Sequence, residues 1–283
     1  MLKKLEEQDF DRYVGFAYEL ALNMTKSGYP TYADGIKTKN DFITRAREAF
    51  SRDGEEILLF ERSGKVTGWI HYYHLPQDSY LDTCAFCIAE GMNEALSEFI
   101  TFARERFSGS ELYLGFPKEN IEAVSSLDEY GFERIEESYN DVMDFDQYIP
   151  QPENANIIPI TRDNFELFAA VHSQYEDDMY WNSERIFATI NRWRIYVYLR
   201  EEKVVGAIYF REDESMSEIF GVDFANCTYD SAVCRALLTA ALNDGKRNGT
   251  KHMVFFSDGA SQVDVIACGF HCVGEYVCFQ TTL

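Results

Sequence analysis

The chain repeats itself. Lys65-Val-Thr-Gly68-Trp-Ile70-His-Tyr72 lines up with Lys203-Val-Val-Gly206-Ala-Ile208-Tyr-Phe210, an offset of 138 (203 minus 65). The same offset carries Ile57 and Arg62 onto Ile195 and Arg200, Phe99-Ile100 onto Leu237-Leu238, and Gly131-Phe132 onto Gly269-Phe270. Agreement at one spacing in four elements restricts the chain to one domain fold used twice. The register reads as gap-free from about residue 57 to 132, with extra residues before Ile57 in the first copy. A length of 283 residues accommodates two ordinary domains.

Hydrophobic periodicity gives each copy the order strand, two helices, hairpin, long strand, helix, strand, helix, strand. Phe10, Tyr13, Val14, Ala17 and Ala21 share one helical face; Ser63-Gly64 marks a hairpin turn between strands 56–61 and 65–74. Gln147-Tyr-Ile-Pro-Gln-Pro-Glu-Asn-Ala-Asn156, with two prolines among polar residues, reads as the linker. The expected domains are therefore 1–146 and 157–283, joined by 147–156.

Acidic residues outnumber basic ones by 48 to 26, a net charge of −22. Such a chain repels phosphate backbones at long range, so nucleic-acid binding is not expected, whereas an amine is attracted. No apolar run approaches the ~18 residues of a membrane span, and no signal-peptide core follows Met1. Seven cysteines, an odd number scattered through strands and helices, suggest reduced thiols and a cytoplasmic location.

From Ser217 to Phe224 polar and apolar residues alternate as in a half-buried strand; turn formers follow. From Ser231, Val233, Ala236, Leu237, Ala240 and Ala241 recur at helical spacing. Thr228 and Asp230 are both suited to cap that helix. Strand, loop and helix N-terminus in succession offer free amides to an anion, although many helices start this way and bind nothing.

The closing stretch of the first copy, Asn120-Ile-Glu-Ala123-Val-Ser-Ser-Leu127-Asp-Glu-Tyr-Gly131-Phe132, resembles the closing motif of GNAT-type N-acetyltransferases. The order of elements is similar to that family twice over and covers essentially the whole chain. Gly131-Phe132 also has a purely structural rationale, a left-handed helix end followed by an inward phenylalanine. The resemblance implies a mixed α/β fold, with a largely antiparallel central sheet flanked by helices in each of two tandem domains. It also implies acetyl-CoA as co-substrate and no metal. Its pantetheine arm would lie in a splay between the central strands, beside Phe220 and Val222. Its pyrophosphate would lie on the loop opening the central helix, where the family carries Gln/Arg-x-x-Gly-x-Gly/Ala. Here Tyr229, Ala232 and Cys234 take those positions in the second copy, and Gly91, Glu94 and Leu96 in the first. Glu94 would repel phosphate and Leu96 would fill its space, so the second copy is the expected cofactor site. Asn120 has Asp258 as its counterpart. The tyrosine that many members use as general acid is replaced by Leu127 and Val265, so another donor or water is required.

The resemblance suggests Glu218, on the central strand of the second copy, as general base; by the 138 offset the first copy has Tyr80 there. Asp177, Asp178, Tyr180 and Trp181 would border the acceptor site and suit a small-molecule or peptide amine. Cys84-Ala-Phe-Cys87 has no second pair at zinc-site spacing, and His71 and His74 read as ordinary strand residues. Two functions follow from this reading: acetyl transfer from acetyl-CoA to a primary amine, or a degenerate tandem protein that binds a ligand or partner without catalysis.

Overall fold

The computed structural model describes residues 1–28, 32–176, 179–212 and 216–283. In chain order the elements are β1 (Leu2–Lys4), α1 (Phe10–Ala21), α2 (Lys39–Glu48), β2 (Glu55–Arg62), β3 (Lys65–Leu75), β4 (Tyr80–Ile88), α3 (Met92–Arg106), β5 (Glu111–Pro117), α4 (Ile121–Glu129) and β6 (Glu133–Asp144). They continue with β7 (Ile157–Pro159), α5 (Glu166–His172), α6 (Ser183–Ala188), β8 (Trp193–Arg200), β9 (Lys203–Glu212), β10 (Met216–Phe224), α7 (Ser231–Asn248), β11 (His252–Ser257), α8 (Gln262–Ala267) and β12 (His271–Thr282).

The two compact units are not consecutive stretches. One comprises Met1–Ser138 and Gly274–Leu283; the other is Tyr139–Val273. In unit 1 the strand order is β1-β2-β3-β4-β5-β12, in unit 2 β7-β8-β9-β10-β11-β6. Each copy has thus exchanged its last strand. β12 runs antiparallel to β5 from Tyr276↔Pro117 to Thr282↔Glu111. β6 runs antiparallel to β11 from His252↔Asp144 to Ser257↔Tyr139. Burial explains the exchange: Val277 and Phe279 complete the core of unit 1, and Met143 and Phe145 that of unit 2. The expected boundary at 147–156 is corrected accordingly. That segment belongs to unit 2, where Tyr148 Oη (2.9 Å) and the Gln151 amide (3.0 Å) both donate to Asn243 Oδ1 on α7.

The repeat is real, but its register is not gap-free. β2 and β8, β3 and β9, and β6 and β12 superimpose in sequence at 138. So do the inward residues of α3 (Ala95, Leu96, Phe99) and α7 (Val233, Cys234, Leu237). Between them lies a compensated slip. Gly68 pairs with Ile88, and Gly206 with Phe224, so β4 and β10 correspond at 136. The counterpart of Glu218 is therefore Asp82, not Tyr80. Glycine is required at 206, where a Cβ would come within 2.7 Å of Val233 on the helix crossing the strand.

Each unit has two apolar layers. In unit 2, α7 covers Ile208, Phe210, Ile219 and Phe224 on one sheet face, while α5 and α6 cover Trp193, Ile195, Val197 and Tyr209 on the other. In unit 1, α3 and α4 cover Ile70, Leu81, Phe86 and Leu112, and α1 and α2 cover Leu59 and Trp69.

Candidate active site

The central strands pair in parallel and then part. β10 and β11 stay paired from Met216↔His252 to Ile219↔Phe255. β4 and β5 pair only at Tyr80↔Glu111 and Leu81↔Leu112. Each central strand carries a bulge at the parting, with Phe220 as the extra residue of β10 and Cys84 that of β4. A bulge resets the alternation of side chains. Phe220 consequently joins the α5–α6 layer, 5.1 Å from the ring of Trp193, while Val222 packs toward α7. The two residues expected to flank one pantetheine arm lie on opposite faces of the strand.

Beyond the bulge the units differ. In unit 1 the inner edge of β4 is taken by its own chain. The Gly28 amide donates to Phe86 O (2.6 Å), Ile88 N donates to Lys26 O (2.8 Å), and Ser27 bridges Cys87 antiparallel. Asn120 Nδ2 donates to Ser27 O at 3.0 Å, and its Oδ1 accepts from Ala123 N. Gly28 is wedged so closely that a Cβ would sit 3.2 Å from Gly115 O and 3.3 Å from Phe86 Cβ. No backbone segment bridges the inner edge of β10 in this way among the described residues; the Tyr175 hydroxyl alone meets it, donating to Phe224 O (3.0 Å) and accepting from Phe224 N (3.2 Å).

At the helix start of unit 2, Asp230 is the cap. Its Oδ1 accepts from Ala232 N (3.0 Å) and Val233 N (3.1 Å), and Arg200 lies 2.9 Å from Oδ2. These bonds hold the Asp230 carboxyl below its ordinary pKa. Ala232 is exposed. Cys234 is a correction: the first helical turn rotates it into the α7 core, fully buried, and burial pushes its thiol up to about 12. The Tyr229 hydroxyl donates to Asp264 on α8, and burial with that carboxylate raises its pKa. Arg235 pairs with the same Asp264 at 3.2 Å. Asp258 is exposed and accepts from Ser261 N (2.7 Å) at the start of α8. In unit 1, Glu94 faces the start of α3 paired to Arg62 (2.9 Å), and Glu122 accepts from Asn93 N (3.4 Å).

Glu218 is half-buried on the α5–α6 face, opposite Arg211 on β9. The Arg211 guanidinium lies over the rings of Trp181 (5.4 Å), Trp193 (5.5 Å) and Phe220 (6.0 Å). Trp181, Glu218 and Phe220 are thereby brought to one surface. Tyr180 stands further out, its ring 4.1 Å beneath Arg185. Asp177 and Asp178 lie outside the described residues. In unit 1 Asp82 accepts from Tyr73 (3.2 Å), Tyr80 (3.0 Å) and its neighbour's amide, and burial lifts its pKa to about 6.

Sequence reasoning missed His172 and Asp223, 0 % and 4 % exposed. His172 Nδ1 lies 2.7 Å from Asp223 Oδ2, and Nε2 donates to Trp181 O at 2.9 Å. The ring stacks on Phe168 at 4.6 Å. A carbonyl only accepts, so Nε2 carries a hydrogen, and the remaining proton is held between Nδ1 and the carboxylate. Burial opposes the charge on His172, but Asp223 and the Trp181 carbonyl outweigh it, so its pKa is raised; burial also raises Asp223. The pair ties Trp181 to β10 just past Val222. The signal available in sequence was a lone aspartate at the end of an apolar strand.

Glu55, His71 and Cys84 also converge, within 4.8 Å of one another. Arg45 already supplies a cation there, forked on Glu55 at 2.7 and 3.0 Å and reaching Cys84 Sγ at 3.0 Å.

No family model and no curated protein sequence matches this chain. Solved structures do. The GCN5-related N-acetyltransferase of Sphaerobacter thermophilus is similar over 99% of this chain and 95% of its own, at 14% identity and a TM-score of 0.66. The tandem GNAT protein from the clavulanic acid biosynthesis pathway, solved without AcCoA, is similar over 99% and 98%, at 13% identity and a TM-score of 0.55. A glucosamine N-acetyltransferase region of a fungal multi-domain β-N-acetylglucosaminidase matches 99% of this chain and 38% of its own, at 9% identity and a TM-score of 0.65. The fold is therefore that of GNAT acetyltransferases, used twice in tandem.

Proposed function

We propose that unit 2 transfers an acetyl group from acetyl-CoA to a primary amine. The observation that carries this reading is the difference between the two clefts. Past the Phe220 bulge no backbone segment among the described residues pairs with the inner edge of β10, which is met only at Phe224 by the Tyr175 hydroxyl, whereas the same edge of β4 is held by Lys26–Gly28. Backbone amides and carbonyls along 220–223 suit the amide groups of a pantetheine arm; at Phe224 the Tyr175 hydroxyl already takes both the amide and the carbonyl. The pyrophosphate end fits less well, because Asp230 already takes the amides at the start of α7. Arg200 and Arg235 are the cations at that end.

In this reading the amine approaches on the face of Trp181, Phe220 and Glu218. It must lose a proton before it attacks, and Glu218 is the carboxylate of β10 nearest the bulge on that face. The oxyanion that develops on the thioester carbonyl needs a backbone N–H from the strand. Leu127 and Val265 are fully buried core residues, so the departing thiolate takes its proton from water or from another side chain. An acidic chain concentrates cationic acceptors around it.

The test is isothermal titration of acetyl-CoA into the full chain, followed by turnover across an amine library. One site per chain and release of free CoA with at least one amine are expected. The competing reading, a binding module without catalysis, is favoured by the Asp230 cap. Stoichiometric cofactor binding with no turnover on any amine would select it.

A further inference from the structure

Unit 2 holds a cavity of about 510 Å³ between α7, the strands β7 and β8 at the edge of its sheet, and residues 151–154; every lining residue belongs to that unit. It is separate from the cleft beside the bulge, because β8 and β9 stand between β7 and β10 in the sheet order. The repeat explains why space is left there. At the 138 offset that registers α7 on α3, Ala240 stands where α3 carries Phe102, and Ala236 where it carries Glu98. In unit 1 the Phe102 ring packs onto the core, 5.7 Å from Tyr72 and 6.2 Å from Phe107. Alanine removes that ring and leaves its volume open. The size falls within the roughly 300–1,000 Å³ of small-molecule sites. Ala236, Ala240, Pro152, Ile157 and Tyr196 give the cavity an apolar body. Arg235 and Thr239 also line it, four residues apart and so neighbours on one face of α7. Neither is saturated. Arg235 Nε lies 3.2 Å from Asp264 and Nη2 donates to Ser231 Oγ (3.0 Å), which leaves Nη1 without a partner among the described residues. The Thr239 hydroxyl has none among them either. The one acid of the lining, Glu153, is paired to Arg247. Cations thus exceed acids in the lining by two to one (Arg235 and Arg247 against Glu153), in a chain whose acids outnumber its bases by 48 to 26.

We infer that this cavity binds a small carboxylate with an apolar or aromatic body, its anion held by Arg235 and Thr239. Both groups donate, and a carboxylate only accepts, so one carboxylate uses the Nη1 hydrogens and the hydroxyl together. Hydrogen bonds between a guanidinium and a carboxylate are the strong kind, about twice a neutral pair. An ammonium would face the Arg235 charge, and a neutral amide would forgo the charge assistance. The apolar body rests on Ala236 and Ala240, against Ile157 and Tyr196. The site is distinct from acetyl transfer and does not depend on it.

The experiment titrates 4-phenylbutyrate and its neutral analogue 4-phenylbutanamide, by calorimetry, into the full chain and into Ala240→Phe and Arg235→Gln. The wild type is expected to bind the acid at one site per chain, about tenfold or more tighter than the amide. Ala240→Phe installs the ring that α3 already carries at this place, so it is expected to fold and to lose both ligands. Arg235→Gln is expected to bring the acid down to the affinity of the amide and to leave the amide unaltered. No saturable binding of the acid up to about 10 mM overturns the inference, as does equal binding of acid and amide by the wild type. Acid affinity unchanged in Ala240→Phe also overturns it, because the acid then sits elsewhere, the cleft beside the bulge included. Should Ala240→Phe fail to fold, Arg235→Gln decides: a loss confined to the acid supports the inference, and no loss, or one shared equally by the amide, overturns it. Acetyl-CoA binding is measured separately, and its absence leaves the inference standing.

Discussion

The buried His172–Asp223 pair makes a prediction that separates charge from shape. Asp223→Ala leaves Nδ1 facing an apolar void. Removing one partner of a buried ion pair costs ~3–5 kcal/mol. Asp223→Asn keeps the geometry: Nε2–H still serves the Trp181 carbonyl, and the amide N–H donates to the unprotonated Nδ1. Only the charge assistance is lost, so the cost is about 1–2 kcal/mol at neutral pH. The pH dependence has a fixed sign. The folded pKa of His172 lies above its unfolded value. The native state therefore holds the extra proton where the unfolded chain has lost it. The stabilisation is fully present below about pH 6.5 and is lost as pH rises through the folded value, with a limiting slope of ~1.4 kcal/mol per pH unit. His71, whose burial lowers its pKa, acts in the opposite sense on the acid side but is common to all three proteins. Urea unfolding at pH 5.5, 7.0 and 8.5 should show the gap between wild type and Asp223→Asn shrinking with pH. A gap constant across that range, or a loss under about 1 kcal/mol in Asp223→Ala, would refute the pair as a proton-holding unit.

Four further outcomes are expected. Ala232→Glu should abolish acetyl-CoA binding in calorimetry, because a second carboxylate at the start of α7 opposes phosphate at close range, and Glu94→Gln should leave it unchanged. Asn120→Ala should lower stability by about 1–2 kcal/mol through loss of the α4 cap and the bond to Ser27, without raising the acetyl-CoA stoichiometry above one. Gly206→Ala should cost ~1–3 kcal/mol in chemical denaturation, since its Cβ would press on Val233. Replacing Asp177 and Asp178 by Asn should weaken amine binding more at low salt than at high salt; identical affinities at every ionic strength would count against an electrostatic role for them.

What the sequence determined by itself was the repeat, and with it the fold. Lys65 to Tyr72 and Lys203 to Phe210 form the same strand, with a glycine at the same tightly packed place in each, against Ile88 and Phe60 at 68 and against Val233 at 206. Gly131-Phe132 and Gly269-Phe270 must end the same helix because each glycine takes a positive φ, 75° and 104°. Such features are local, so an offset exposes them. Periodicity alone could not register β4 against β10, where a two-residue slip is compensated nearby and a bulge resets the alternation. Nor could it show that Cys234 turns inward, since one helical turn decides between core and loop. The exchange of β6 and β12 was equally invisible, because two strands of one length and one offset compete for two equivalent slots; the winner is set by which core their apolar residues fill. His172 and Asp223 meet the site only through tertiary register, from segments far apart in the chain. Lys26–Gly28 closes the first cleft for the same reason: a strand edge accepts whatever backbone reaches it, and only the folded chain decides which segment does.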